Sequence, residues 1–238
     1  MNKIINKFRN LLYKIRNFKI QYIVIKQSEL QDNGYMSQYG QDKFVAEHFD
    51  FLNNGVFVDI GANDGRTLSN TYYLENSLSW SGIAIEPSPK VFKRLQENRA
   101  CILINACISD ESGDAEFLEL SGYTEMLSGL VDKYDARHIA RIDNEIEKFS
   151  GVKNYIKVPC YTLEDILKEH KLQKIDYLNI DIEGGEFDIL KTINFKNIDI
   201  NLIGVENNYK ENKIKNYLQG YGYSLIAIIG SDEIYKKQ

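Results

Sequence analysis

A chain of 238 residues, 43% of them apolar, is long enough for one large domain with a sizeable core. The net charge of −5 does not favour a protein that binds nucleic acid over a broad surface. The three cysteines form no C-x-x-C pair, which predicts reduced thiols and a cytoplasmic protein. Because no run of about 18 apolar residues is present, the sequence predicts no membrane-spanning helix.

The first 28 residues contain seven basic residues and no acidic one, which predicts an element separate from the rest of the chain. Apolar side chains recur at helical spacing over residues 2–20, at Ile4, Phe8, Leu11, Ile15 and Phe18. We therefore expect an amphipathic helix in a segment 1–30, followed by a domain that spans residues 31–238. Three roles stay open for the helix: packing on its own domain, peripheral contact with anionic lipid at the inner membrane, or pairing in a homo-oligomer.

A short apolar run at residues 56–60 predicts a buried strand, which ends in the turn G-A-N-D-G at residues 61–65. Residues 67–76 have helical composition, so this stretch predicts a nucleoside-binding corner. The turn is not G-x-G-x-x-G and no lysine follows it, which argues against a dinucleotide or phosphate-cradling loop. With Asp59 just before the first glycine, it suits a positively charged ligand such as S-adenosylmethionine. The alternative is an ordinary tight turn between a strand and a helix.

Strands and helices alternate along the chain, which predicts a mostly parallel sheet with helices on both faces. The other predicted strands are 80–85, 101–108, 115–120, 152–161, 175–180, 200–205 and 223–229, and a hairpin closes the chain. The predicted helices are 41–52, 88–99, 163–170, 185–192 and 209–219, and the polar run S-Q-Y-G-Q-D at 37–42 predicts a capping turn before the first of them. Residues 121–151 show no clean periodicity and predict a long insertion, which in a compact domain is more often functional than idle.

Polar and acidic side chains follow nearly every predicted strand. Ligands of such a sheet bind beyond the carboxyl ends of its strands, so we expect these side chains at one site. They are Asp59 to Gly65, Glu86, Asn105 to Ser109, Asp181 with Glu183, and Glu206 with Asn207. Glu86 lies at the end of the strand after the glycine turn, where a carboxylate can accept hydrogen bonds from two ribose hydroxyls. The alternative for Glu86 is a solvated strand end.

Oxygen ligands from neighbouring strand ends can hold a hard divalent ion. Asp181, Glu206 and Asn207 are therefore the predicted ligands of a Mg²⁺ or Mn²⁺ ion, with Glu183 close by. The alternative is an acidic cluster without a metal, in which Asp181, Glu183 or Glu206 is the catalytic base. The three histidines, His48, His138 and His170, show no metal-ligand spacing and are expected to be surface or structural residues.

Six motifs stand together in this order: F-V-D-I-G-A-N-D-G-x-T-x-S-N-T, G-I-A-I-E-P, N-A-C-I-S, M-L-S-G-L, D-Y-L-N-I-D-I-E-G-G-E and V-E-N-N. Their combination resembles the FkbM family of S-adenosylmethionine-dependent methyltransferases over about residues 37–236. The resemblance implies a Rossmann-like class I methyltransferase fold, with a seven-stranded, mostly parallel sheet and helices on both faces. It also implies O-methylation of sugars or other small metabolites with S-adenosyl-L-methionine as the cofactor.

The resemblance further implies roles for single residues. Asp59, Gly61, Asn63 and Gly65 would line the methionine part of the cofactor, Glu86 would hold the ribose, Asn105 and Ala106 would flank the adenine, and Ser69 and Asn70 would lie near the cofactor or substrate. Residues 121–151, with M-L-S-G at 126–129, would form part of the wall or lid of the acceptor site.

The sequence thus predicts an O-methyltransferase that acts on a hydroxyl of a sugar, a nucleotide-sugar or a similar small metabolite. Its richness in Asn, Ile, Lys and Tyr is typical of an AT-rich bacterial source, where surface polysaccharide is one destination for such sugars. Two other functions stay open. A Rossmann-type NAD-dependent oxidoreductase would need a G-x-G-x-x-G motif that is missing here, and a non-catalytic membrane-associated scaffold would use the basic helix.

Overall fold

An eight-stranded sheet runs through the protein, as the computed structural model describes it for residues 20–238. The strands of the chain are β1 (Gln21–Ile23), β2 (Val56–Ile60), β3 (Ser81–Ile85), β4 (Ile102–Ile104), β5 (Cys107–Ile108), β6 (Gly113–Leu120), β7 (Gly129–Leu130), β8 (Lys153–Tyr161), β9 (Lys174–Ile180), β10 (Asp199–Glu206), β11 (Tyr223–Ile229) and β12 (Asp232–Lys237). Eight of these strands form the main sheet, in the order β1-β11-β12-β10-β9-β2-β3-β4. All pairings are parallel except those of β12, which runs antiparallel to both neighbours.

Residues 20–238 contain eight α-helices, several of which cover the two faces of the main sheet. They are α1 (Gln27–Gln31), α2 (Gln41–His48), α3 (Tyr72–Leu78), α4 (Pro89–Asn98), α5 (Ala136–Phe149), α6 (Leu163–Glu169), α7 (Glu186–Thr192) and α8 (Asn212–Gly220), with 3-10 turns at Gly122–Leu127 and Val131–Lys133. None of these helices is long and apolar enough to span a membrane.

Side-chain alternation along the central strands divides the core into two layers. Val58 and Ile60 pack with apolar residues of α6, α7 and α8 on one face of the sheet. Phe57, the neighbour of Val58 in sequence, points to the opposite face and packs with apolar residues of α2 and α3. Because both faces of the strands are covered, β2 and β9 are almost continuously buried, as parallel strands usually are.

A second sheet of four strands has the order β5-β8-β6-β7. One of its faces carries a buried cluster with Phe117, Val158 and Cys160. Its other face packs Leu118 and Leu120 against Ile142 and other residues of α5 and the turns before it. This second sheet and α5 come from residues 107–161, a single stretch of chain between two strands of the main sheet.

The structure corrects four expectations. The main sheet has eight strands instead of seven, because β1 pairs in parallel with the edge strand β11. The predicted strand 101–108 is divided between the two sheets, since β4 joins one and β5 the other. The segment 121–151 contains the 14-residue helix α5, which begins at an Asp135 cap that accepts hydrogen bonds from two backbone amides. The helix expected at 67–76 begins only at Tyr72.

The helix expected at residues 2–20 lies outside the described residues, apart from Ile20. Strand β1 and all but the last residue of α1 fall within the expected N-terminal segment 1–30, and the main sheet therefore already includes part of that segment.

Candidate functional site

A cavity of about 340 Å³, here called the main cavity, opens at the carboxyl ends of the central strands. The registers of β3, β2, β9 and β10 align Ile85, Ile60, Ile180 and Val205 at one level, so the residues that follow them meet at one edge. Two loops, at residues 38–41 and 67–70, and the segment 125–130 also contribute to the lining. A parallel bridge between Ser37 and Leu68 joins the two loops.

The glycine turn lies directly against the end of β9. Gly61 has a φ of +86°, and a Cβ atom added there would lie 1.8 Å from the carbonyl oxygen of Asp181. The amide groups of Gly61 and Ala62 both donate to the carbonyl oxygen of Ile85, at 3.1 and 2.9 Å. Only glycine allows this approach, so the turn packs directly on the end of β9 at a position without a side chain.

Glu86, at the end of β3, is buried in the lining of the main cavity. Its two carboxylate oxygens accept hydrogen bonds from the backbone amides of Asn63, at 3.1 Å, and Ser88, at 2.8 Å. Burial raises the pKa of Glu86 to about 7. A carboxylate has about four lone-pair positions, so Glu86 keeps acceptor capacity for further donors inside the cavity.

Asp59 lines the cavity, but both of its oxygens already have partners. The Thr71 hydroxyl donates to one at 2.5 Å, and the Asn179 side-chain amide donates to the other at 2.9 Å. Behind them the buried guanidinium of Arg99 pairs with Glu75 and also donates to Thr71 Oγ1 at 3.1 Å. These contacts hold the strand end and the turn in place.

Four carboxyl groups from three strand ends line another part of the main cavity: Asp181, Glu183, Glu206 and Asp232. Burial and the Glu206 charge raise the pKa of Asp181 well above its usual range, and burial and Glu183 do the same for Glu206. Burial and Asp181 raise the pKa of Glu183 to about 8, although Arg141 lies 3.2 Å from its carboxylate. At neutral pH such a group can hold a proton or accept one.

His138 lies closer to these carboxyl groups than the sequence indicates. Its side chain is buried and stacks on the ring of Tyr134. Its Nδ1 atom is 3.6 Å from Oε2 of Glu183, and its Nε2 atom is 3.4 Å from the carbonyl oxygen of Leu127. Because burial lowers the pKa of His138, we treat the ring as neutral at pH 7.

The expected metal ligands do not come together. Asn207 does not line the main cavity, since its side-chain amide donates to the carbonyl oxygen of Glu211 and accepts from the Glu211 amide. Across residues 20–238, no group of three or more His, Cys, Asp or Glu side chains is arranged to hold a metal ion. The structure gives no support to the predicted Mg²⁺ or Mn²⁺ site.

Most of the residues predicted from the sequence do meet in the main cavity. Those in its lining are Asp59, Gly61, Asn63, Ser69, Asn70, Glu86, Ala106, Asp181, Glu183 and Glu206, together with Met126, Ser128 and Gly129 of the expected acceptor wall. Gly65 instead packs against Leu95 and Arg99, at a φ of +77°. Asn105 points away from the lining and donates to the carbonyl oxygens of Glu86 and Pro87, at 2.8 and 3.0 Å. Gly65 and Asn105 therefore shape the backbone that carries the site.

Asp232 and Gln41 are among the lining residues that the sequence did not predict as part of the site. Asp232, the first residue of β12, is buried, and burial raises its pKa to about 6. Gln41, at the start of α2, donates from its side-chain amide to Asp232 at 2.8 Å. The signals were present, because Gln41 belongs to S-Q-Y-G-Q-D and Asp232 follows the hairpin turn. In an antiparallel strand, the first residue and not the last lies at the carboxyl edge of the sheet.

Known proteins with similar sequences are methyltransferases. The model of the methyltransferase FkbM domain matches residues 59–225. The 2-O-methyltransferase NoeI of Sinorhizobium fredii is 27% identical over 142 residues, which cover 57% of this chain and 56% of that protein. Methyltransferase 1 of Beauveria bassiana is 26% identical over 160 residues, which cover 63% of each chain. The chain thus spans little more than half the length of these relatives.

One solved structure that matches is that of methyltransferase FkbM from Methylobacillus flagellatus KT. The match has a TM-score of 0.48 and 12% identity, and it covers 77% of this chain and 43% of that one. The family model, by contrast, matches more than half of the sequence itself. On that ground the chain belongs to the methyltransferase FkbM family.

Proposed function

We propose that the protein is an S-adenosylmethionine-dependent O-methyltransferase that acts on a hydroxyl of a sugar, a nucleotide-sugar or a similar small metabolite. The observation that carries this proposal is one cavity in which a bare glycine turn and Glu86 face carboxyl groups of raised pKa. Family membership supports methyl transfer, and the name of one relative, a 2-O-methyltransferase, supports oxygen as the accepting atom.

The lining fits the cofactor on four counts. Glu86 has acceptor capacity left for the ribose hydroxyls, and the backbone of Gly61, a lining residue without a side chain, can contact the methionine part. Ala106, the residue before the short strand β5, is buried in the lining and would contact the adenine. The turn has no lysine, and the acidic groups suit the positive charges of the sulfonium and the amino group.

The cofactor, when bound, supplies an electrophilic methyl group on sulfur. The residues of this chain must then orient the acceptor hydroxyl toward it and take up the hydroxyl proton as the oxygen–methyl bond forms. Asp181, Glu183 and Glu206 are our candidates for the base, and Glu183 has the best-matched pKa, about 8. Holding the two reactants in line is the largest contribution that we assign to the fold, since effective molarities reach about 10⁵–10⁸ M.

The seven strands β2, β3, β4, β9, β10, β11 and β12 correspond, in our proposal, to the sheet that the family resemblance implies, and β1 is an addition at its edge. The richness in Asn, Ile, Lys and Tyr, typical of an AT-rich bacterial genome, is consistent with a bacterial surface polysaccharide as the destination of the methylated sugar.

The test combines binding and turnover. We expect calorimetry to show binding of S-adenosylhomocysteine, with no thermal stabilisation by NAD. With labelled S-adenosylmethionine, we expect label in at least one member of a panel of free sugars, glycosides and nucleotide-sugars. Stabilisation by NAD without binding of S-adenosylhomocysteine would instead favour the oxidoreductase.

A further inference from the structure

A second cavity, of about 170 Å³, lies beside the main cavity. Four residues line both: Glu183, Gly184, Glu206 and Asn208. The rest of its lining comes from three stretches, at residues 133–138, 185–188 and 207–214. The candidate catalytic carboxyl groups therefore lie between the two cavities, and a ligand in the second cavity would be in contact with the residues that bound the first.

Each basic side chain that lines the second cavity already has a carboxylate partner. Lys133 lies 2.7 Å from Asp110, and Lys213 lies 2.7 Å from Glu211. Arg137 pairs with Asp135 at 2.5 Å and with Glu211 at 2.8 Å. A phosphate group would have to compete with these carboxylates for each cation. The lining instead offers many paired donors and acceptors, an environment that suits a neutral ligand rich in hydroxyl groups.

One aromatic ring in this cavity is held in place. The guanidinium carbon of Arg137 lies 3.7 Å from the centroid of the Tyr209 ring, and Tyr209 is 37% exposed. Because Arg137 is itself fixed by two carboxylates, the ring loses little freedom when a ligand packs against it. Ligand sites commonly combine such an apolar surface with a few polar groups that fix orientation. The C–H faces of a sugar ring can use this surface while its hydroxyls reach the charged pairs.

We propose that the second cavity is the subsite for the sugar unit next to the one that is methylated. The acceptor is then a glycan with at least two units, and not a nucleotide-sugar. This inference rests on the proposed O-methyltransferase function. It assigns Tyr209 and Arg137 to acceptor binding, and it places Glu183 and Glu206 at the junction between the two sugar units.

The experiment compares methyl transfer to methyl glycosides of single sugars, to the corresponding disaccharides and to nucleotide-diphosphate sugars. We expect KM to be about tenfold lower for a disaccharide than for its monosaccharide, as one well-placed aromatic contact would give. Tyr209→Ala should remove most of this difference, and Tyr209→Phe, which keeps the ring, should retain it. Tyr155→Ala, at an exposed ring that lines neither cavity, is the matched control and should behave as wild type.

Three results would overturn the subsite. Equal KM values for mono- and disaccharides in the wild-type enzyme would do so without any variant and would leave methyl transfer standing. A preference for nucleotide-sugars that becomes weaker in Arg137→Met would also overturn the subsite, because the second cavity would then hold the diphosphate. No turnover of any sugar by an enzyme that binds S-adenosylhomocysteine would reject both the subsite and the proposed acceptor class.

Discussion

Asp232 lies directly opposite Glu206 across the antiparallel pairing of β10 and β12. This pairing adds a fourth carboxyl group to the three that follow parallel strands, and Gln41 fixes its orientation through a 2.8 Å hydrogen bond. Burial, more than any partner, raises the pKa values of these carboxyl groups. The protonation states of these four carboxyl groups are therefore expected to change with pH and with the charge of a bound ligand.

Glu86→Ala should weaken binding of S-adenosylhomocysteine. Loss of a charged hydrogen-bond acceptor for the ribose hydroxyls costs about 1.5–3 kcal/mol, which corresponds to roughly 10- to 150-fold in the dissociation constant. Calorimetry on the wild type and on Glu164→Ala, at an exposed carboxylate of α6, gives the comparison. An unchanged dissociation constant in Glu86→Ala would show that this carboxylate does not hold the ribose.

The pH–rate profile should report the proton acceptor. If Glu183 is the base, kcat/KM rises as pH increases through about 8, because only the ionised carboxylate can take the hydroxyl proton. Glu183→Gln should remove this rise and most of the activity. A rise that persists with full activity in Glu183→Gln would assign the base to another carboxylate, Asp181 or Glu206.

From the raised pKa of Glu183 we also predict how folding stability depends on pH. The folded state favours the protonated form of Glu183, and this preference adds to the free energy of unfolding. The added stability is fully present below the ordinary pKa of 4.5 and is lost as pH rises through about 8. Between those values the wild type should lose more stability than Glu183→Gln, and urea unfolding at several pH values measures the difference. Parallel curves for the two proteins would contradict the raised pKa.

A comparison of Gly61→Ala with Gly222→Ala distinguishes the cost of a left-handed backbone conformation from the cost of a steric clash. Both glycines have φ near +85°, yet a Cβ at Gly222 meets no atom within 4 Å, whereas one at Gly61 meets the carbonyl of Asp181. We expect Gly222→Ala to cost about 1–2 kcal/mol of unfolding free energy, and Gly61→Ala more than about 4 kcal/mol. Denaturant unfolding measures both, and similar losses would mean that the turn can move away from β9.

Arg99→Met should destabilise the protein by about 3–5 kcal/mol, because it leaves the Glu75 carboxylate without its buried partner. Arg99 also donates to the carbonyl oxygen of Gly65 at 3.1 Å, so the glycine turn should loosen and S-adenosylhomocysteine affinity should fall. Lys90→Met, at an exposed position of α4, serves as the control in unfolding and binding measurements. Wild-type stability in Arg99→Met would show that this ion pair contributes no net stability.

Removal of residues 1–19 should leave methyl transfer to a soluble acceptor intact. Every residue of the main cavity lies after residue 37, and the cut spares β1, which pairs with β11. Turnover and thermal unfolding of the shortened protein check this. A correctly folded product without activity would mean that the basic segment takes part in the site. A deletion of residues 1–30 would be less informative, since it also removes a strand of the sheet.

Local sequence was sufficient to place most of the site but not to assign partners to its side chains. Asp59 was expected to face the cofactor, yet its oxygens bond to Thr71 and to Asn179, which lies 120 positions away in the chain. Such long-range hydrogen bonds depend on strand register, which no local pattern specifies. The same reason explains why Asn207 could be counted as a metal ligand when its amide caps the turn before α8.

The sequence pattern does not predict helix α5, and the reason is different. Ile139, Ile142 and Ile146 do recur at helical spacing, but charged residues between them outnumber the apolar ones. What stabilises this helix is packing of Ile142 on Leu118 and Leu120 of the second sheet, a contact that exists only once that sheet has formed. Tertiary packing, and not intrinsic propensity, therefore determines this element.

The second sheet and α5 are contiguous in sequence, and this has a consequence for which parts of the cavity can change independently. The glycine turn and the end of β9 touch through Gly61 and Asp181, so the parts of the cavity on the main sheet can change little without moving one another. Residues 125–130, which line the same cavity, belong to the continuous stretch 107–161, so substitutions that reshape this wall can all lie in one segment of the chain. Under the proposed function, such substitutions would alter the acceptor side of the cavity while the contact between Gly61 and Asp181 stays in place.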